Sequence, residues 1–194
     1  MAGYVGPNVP VSTSKTDWVP ITTQVMNGVV TEVVFSSGID DTYDEYMWAF
    51  SGIHPATDAV HWHFQTTSVT NVTAIHGVIY SSEAGDAISP FFHDIPERQR
   101  HTENTYIPIS YDTGADDDQF MSGELHIARP WDTVYYKNWW SVFSDHNTGD
   151  YTIDTFSNGY FMATAAITTL TFKYTISGTS ELDAGTCTMY GLAK

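Results

Sequence analysis

Cysteine is the scarcest chemistry in this chain, with Cys187 alone among 194 residues. One thiol excludes an intrachain disulfide framework and a multi-cysteine metal centre. Its place in an expected strand, Thr186 to Leu192, reads as a buried small hydrophobe. Cations are also scarce: 7 Lys and Arg stand against 23 Asp and Glu, giving a formal net charge of -16. Nucleic-acid binding draws its affinity from clustered cations. The only cluster, Arg98, Arg100 and His101, is too small to supply it. The same charge repels anionic membranes and suits solubility, or life at high ionic strength where self-repulsion is screened. No apolar run approaches the roughly eighteen residues of a membrane span. The opening MAGYVGPNVP has neither the basic nor the apolar region of a signal peptide, so a soluble protein made in a cytosol is expected. Amphipathic helix patterns longer than two turns, fixed-period repeats and heptads are missing too.

Aromatic residues are abundant: 12 Tyr, 10 Phe and 6 Trp, with frequent threonine, favour pleated surfaces over helices. The organising stretch is Phe35 to Gln65. Tyr46, Trp48 and Phe50 alternate with Met47, Ala49 and Ser51, and Val60, Trp62 and Phe64 repeat the two-residue period. Between them His54-Pro55-Ala56-Thr57-Asp58 breaks the pattern, because proline fixes its own φ and restricts the residue before it. Leu170, Phe172, Tyr174 and Ile176 alternate with Thr169, Thr171, Lys173 and Thr175, which predicts one buried and one wetter face. Further strands are expected at Val29 to Phe35, Ala74 to Tyr80, Tyr106 to Tyr111, Ser122 to Ala128, Tyr135 to Phe143 and Tyr160 to Met162. The last follows the turn pair Asn158-Gly159. Loops are expected at Ser36 to Glu45, Ser81 to Asn104, Ser144 to Tyr151 and Ser177 to Gly185.

About ten strands with Gly, Pro, Asn and Asp punctuation predict an all-β fold: a single-domain, jelly-roll-like β-sandwich over residues 29–194. The Gly- and Pro-rich residues 1–28 are expected to form an extended N-terminal arm that orders against a partner.

Four candidate chemistries follow. His61 and His63 point to one face of a strand about 7 Å apart, and His126, with Glu124 or Glu83, would complete a cupin-like metal set. No glutamate follows His63 at cupin spacing and no proline-glycine turn precedes His126, which leaves structural histidines on a partly exposed face as the ordinary reading. Asp112, Asp116 and Asp118 lie on a glycine-containing loop of the kind that holds calcium. An EF-hand is excluded, because its twelfth position is Gly123, and solvated turns are the alternative for this loop and for Asp40, Asp41 and Asp44. Standard hydrolase signatures are absent: no G-x-S-x-G, phosphate-cradling loop or H-E-x-x-H occurs. A carboxylate pair assembled by folding stays open. Finally, Trp131, Tyr135, Tyr136, Trp139 and Trp140, near Asp145 and Asn147, suit subunit contact, core packing or stacking on host glycan.

The runs IDDTYDEYMWAFSGIHPATD, GADDDQFMSGELHIARP, DTFSNGYFMATAAITTLTFKYTISG and DAGTCTMYGLAK together resemble a family of virion structural proteins of marine tailed phages. The resemblance covers about Ser36 to Lys194; the segment Phe92 to Thr102, rich in histidine and arginine, departs from it. It implies a non-enzymatic β-sandwich without catalytic residues or cofactor, located in the virion and partnered by other virion proteins. It also implies a homo-oligomer, with a trimer as the form suggested by the phage context. Placement in the tail or fibre apparatus, with a host-facing surface, is favoured over capsid decoration. A glycan-binding receptor module and a cupin-like enzyme are the rivals.

Overall fold

The computed structural model describes residues 17–66, 72–82, 84, 88–91, 106–175 and 182–193. These contain twelve strands and no helix. The strands are β1 (Trp18–Met26), β2 (Val33–Phe35), β3 (Glu45–Pro55), β4 (His61–Thr66), β5 (Val72–Ser82), β6 (Ile88–Phe91), β7 (Ile107–Pro108), β8 (Met121–Ala128), β9 (Lys137–His146), β10 (Tyr151–Phe161), β11 (Leu170–Thr175) and β12 (Leu182–Leu192). They form two antiparallel sheets in a sandwich-like arrangement, as the all-β expectation requires. The large sheet has eight strands in the order β1-β12-β3-β8-β9-β10-β5-β6, and the small one four, β2-β11-β4-β7. No helix among the described residues is long and apolar enough to cross a membrane.

The two-residue periods place the core. Tyr46, Trp48 and Phe50 are buried on β3, while Trp62 and Phe64 are buried on β4. These strands belong to different sheets, so the turn after Pro55 is no hairpin. It carries the chain across the sandwich, with Ala59 at φ 58°, and brings the Phe50 and Trp62 rings edge to face at 5.7 Å. Phe172 on β11 sits in the centre of this interlock. Its ring centroid lies 4.9 Å from Phe50, 6.1 Å from Trp62, 6.1 Å from Phe35 and 6.3 Å from Trp48. Leu170 and Tyr174 share its buried face, and Cys187 is buried as expected of a small hydrophobe; burial pushes its thiol well above the usual range.

Several expectations are corrected. The arm does not extend to residue 28: Trp18–Met26 is a strand paired along its length with β12, from Trp18↔Leu192 to Met26↔Gly185. Its one proline, Pro20, and its threonines suit an edge, where a missing amide donor costs little. The polar loop expected at Ser144 to Tyr151 shrinks to a tight turn, because β10 begins at Tyr151 and pairs with β9 and β5 through Phe161. Asn158-Gly159 is therefore mid-strand. A Cβ on Gly159 would meet the Thr73 carbonyl oxygen at 1.7 Å, so glycine here serves close approach of β5 rather than a turn. β12 begins four residues before the expected Thr186, with Gly185 at φ 119° within an irregular register. Residues 1–16, the insert from Phe92 through Arg98, Arg100 and His101, Glu83 and Ile176 lie outside the described residues.

One inward position of β9 is a cation. Lys137 is buried, and its Nζ donates to the carbonyl oxygens of Thr164 and Ala165 at 2.7 Å each and of Ala163 at 3.4 Å. A buried ammonium is tolerated only with such partners. It pins the connection between β10 and β11 against the sheet.

Truncating the central ring tests this packing. Phe172→Ala is expected to cost about 3–5 kcal/mol in urea unfolding. Thr171→Ala, on the opposite face of the same strand, is expected to stay within ~0.5 kcal/mol. Equal costs would contradict the assigned faces.

Candidate functional site

The three histidines of the cupin-like set do not meet. On β4, Trp62 and Phe64 face the core, so His61 and His63 lie on the outer face of the small sheet. Their rings stack at 6.1 Å, and His63 Nδ1 lies 2.7 Å from the His61 carbonyl oxygen, so that nitrogen donates. His126 alternates with buried Leu125 and Ile127 on β8 and faces outward from the large sheet, on the other side of the core. It is not partly exposed, as expected for it, but buried. Trp140 stacks on it at 3.6 Å, Trp18 packs edge-on at 5.4 Å, and its Nδ1 and Nε2 lie 2.7 Å from Glu45 Oε1 and 3.3 Å from Glu124 Oε1. His63, too, is buried. Among the described residues no group of three or more His, Cys, Asp or Glu is placed to hold a metal ion.

The calcium candidate also separates. Asp116 and Asp118 are on an exposed turn, closed by the Gln119 amide donating to the Asp116 carbonyl at 2.8 Å. Asp112 points elsewhere, accepting from Asn147 Nδ2 at 3.2 Å.

The aromatic candidates divide three ways. Trp139 is a core residue, its ring edge to face with Phe64 at 5.1 Å, and so is not a surface contact. Trp131 is partly buried: its Nε1 donates to the Tyr43 carbonyl at 2.7 Å, and Arg129 lies over its ring at 4.9 Å. Tyr135 and Trp140 are exposed. Trp140 belongs to a larger surface that the sequence reading missed. On the outer face of β9, β10 and β5 the register sets Trp140 beside Asn158 and Ile75, Val142 beside Phe156, and Asn138 beside Tyr160 and Thr73. Ile75 is 68% exposed, Phe156 43% and Trp140 41%. Tyr136 stacks on Tyr160 at 6.0 Å. The side chains that alternate outward on these strands include one charge, Asp154. The signal was present in Ile75 and Ile79, which alternate with buried Ala74, His76 and Val78: both faces of β5 carry apolar residues.

The inner face of the same strands is polar where it leaves the aromatic core. His76 Nδ1 lies 2.7 Å from Ser157 Oγ, and Asp145, buried on β9, accepts from the Thr113 hydroxyl at 2.8 Å. At this end a cavity of about 370 Å³ is lined by Val78, Tyr80, Tyr111, Asp112, Asn147, Tyr151 and Ile153. Asp112 has φ 62°. Its carboxyl is shifted upward by burial, opposed by the Asn147 hydrogen bond and reinforced by Asp58. Asn147 is itself fixed: its Oδ1 accepts from the amides of Gly149 and Tyr151 at 3.0 Å each. A structured polar corner beside three tyrosines results.

Compared with protein-family models, curated proteins and solved structures, the chain matches none.

Burial raises the Asp145 carboxyl from an ordinary 3.8 to about 8, with the Thr113 hydrogen bond opposing the shift. Below 3.8 the group is neutral in folded and unfolded chains alike. Between 3.8 and about 8 the unfolded chain ionises it while the fold keeps it neutral, so stability declines as pH rises through that window. Asp145→Asn is expected to remove this decline. Its urea midpoint, compared with that of the native chain, should gain more at about pH 8 than at about pH 5; an equal gain at both would show that Asp145 is ionised in the fold.

Proposed function

We propose that this chain is a non-enzymatic structural component of a tailed-phage virion. It would assemble with a second copy of itself through the outer face of β9, β10 and β5, within the tail or fibre apparatus. The observation that carries the assembly in this reading is that face, where Ile75, Trp140, Val142, Phe156 and Tyr160 are exposed among uncharged polar side chains and one charge, on a chain whose formal net charge is -16; the virion placement rests on the resemblance of the sequence runs. Contiguous exposed apolar surface on a soluble protein marks an interaction site, and Tyr and Trp are enriched where subunits meet. Two such acidic molecules repel; a charge-poor face is where they approach with least opposition.

The strand order supports the jelly-roll reading of the fold. Set aside the antiparallel pairs β5–β6 and β9–β10, which widen the large sheet, and every remaining strand but β7, which follows β4 within the small sheet, lies in the opposite sheet from the one before it. Thus β1, β3, β8 and β12 are in the large sheet and β2, β4, β7 and β11 in the small one. Two four-stranded layers wound alternately suit the double-sheet jelly roll, an architecture that includes viral capsid domains. Capsid decoration is the alternative placement, and the same outer face serves it.

Light scattering of the purified chain over a range of concentrations is expected to show an oligomer. The double variant Ile75→Lys, Phe156→Lys should be monomeric with an unchanged far-ultraviolet spectrum. A monomeric native chain would remove the self-assembly reading. Cryo-EM of particles should place the chain at the tail; absence from the particle would overturn the virion assignment.

A further inference from the structure

We propose that the cleft bounded by Tyr80, Tyr111, Tyr151, Asp112 and Asn147 binds one neutral pyranose unit of a glycan. It uses residues separate from the outer face and does not depend on assembly through it. The volume, about 370 Å³, falls within the range of small-molecule sites. Tyr80 and Tyr151 meet edge to face at 5.7 Å and 89°, so they wall a corner instead of stacking on each other. A pyranose offers an apolar C–H face to such rings and hydroxyls at its rim.

The rim is matched by Asp112 and Asn147. With Nδ2 3.2 Å from Asp112 Oδ2, an amide donor stands beside carboxylate acceptors. Adjacent hydroxyls fit this pair, one donating to the carboxylate and its neighbour accepting from the amide. Because Asn147 Oδ1 is held by two backbone amides, the direction of its NH₂ group is fixed before a ligand arrives, which lowers the ordering cost of binding. Asp112 is held in a left-handed conformation, φ 62°, rarely adopted outside glycine and Asn or Asp.

Charge selects among sugars. Asp112 has Asp58 near enough to influence its ionisation, and the whole chain is acidic, so uronic and sialic acids are disfavoured. A quaternary ammonium is the competing ligand chemistry, since aromatic rings and a carboxylate also cage such cations. It would leave the second N–H of the Asn147 amide unused.

The test titrates the purified full chain by ligand-observed NMR with the methyl glycosides of glucose, galactose, mannose and N-acetylglucosamine, and with glucuronate and tetramethylammonium. Saturable binding of at least one neutral glycoside is expected. Asp112→Ala and Tyr80→Ala should each weaken it about tenfold or more, and Trp140→Ala should leave it unchanged. Should Asp112→Ala fold poorly, Asp112→Asn and Tyr80→Ala carry the comparison. The proposal is overturned by failure of all four glycosides to saturate, or by tighter binding of glucuronate or tetramethylammonium in the same cleft. Sugar binding lost in Trp140→Ala but retained in both cleft variants would overturn it too, placing the ligand on the outer face.

Discussion

The packing of Phe172 against rings from both sheets is the contact on which the rest of the structure depends. Phe35 shares its sheet as the neighbour across β2, Trp62 lies on the other side across β4, and Trp48 and Phe50 reach it from β3 of the large sheet. Each aromatic pair adds roughly 0.5–1.5 kcal/mol beyond the apolar area it buries. Their geometry matters as much as their energy. Large planar rings meeting edge to face fix the separation and rotation of two sheets more tightly than aliphatic side chains do.

Fixing one half of the large sheet leaves a surplus. Four strands of the small sheet stand against eight of the large one. Ring contacts from the small sheet reach β9 and β10 through Phe64, at 5.1 Å to Trp139 and 6.0 Å to Phe161. Farther along β10 and β5 the inward positions become Ser157, His76 and Thr155, polar side chains of which Ser157 and His76 hydrogen-bond to each other. The cleft and the exposed apolar face are therefore two sides of one extension. Its inner side is too polar for core and its outer side is too apolar for an ordinary solvated surface.

The fold was legible wherever one face of a strand is buried and the other wet. Leu170, Phe172 and Tyr174 against Thr171 and Lys173 give a clean period, and so do Tyr46, Trp48 and Phe50. It was illegible where apolar residues stand on the outward face, or on neither. β10 presents Phe156 and Tyr160 outward and Thr155 and Ser157 inward, which inverts the usual pattern, and Asn158-Gly159 imitates a turn. β1 alternates weakly because an edge strand with Pro20, Thr22, Thr23 and Gln24 buries little. Site residues followed the same logic. Spacing placed His61 and His63 on one face correctly, but no local pattern reveals that His126 lies across the core, or that Asp112 leaves its acidic loop to meet Asn147. Trp139 and Trp140 show the limit most simply. Adjacent in sequence, they point to opposite sides of one strand, one into the core and the other toward the surface.

Charge distribution joins these features. With so few cations in the chain, a buried one and the exposed neutral surfaces become informative. Lys137 is used to hold a loop, not to balance a carboxylate at the surface. The acids concentrate in loops such as Asp40, Asp41 and Asp44 and Asp116 to Asp118, all exposed. The strands β9, β10 and β5 have an outer face nearly free of them. A solvated monomer has no physical need for that segregation, because acidic side chains on the same strand positions would serve solubility better. It costs the isolated chain exposed apolar surface, and that cost is offset only when something covers the face. Between two copies of so acidic a chain, approach through that face would bring few like charges together.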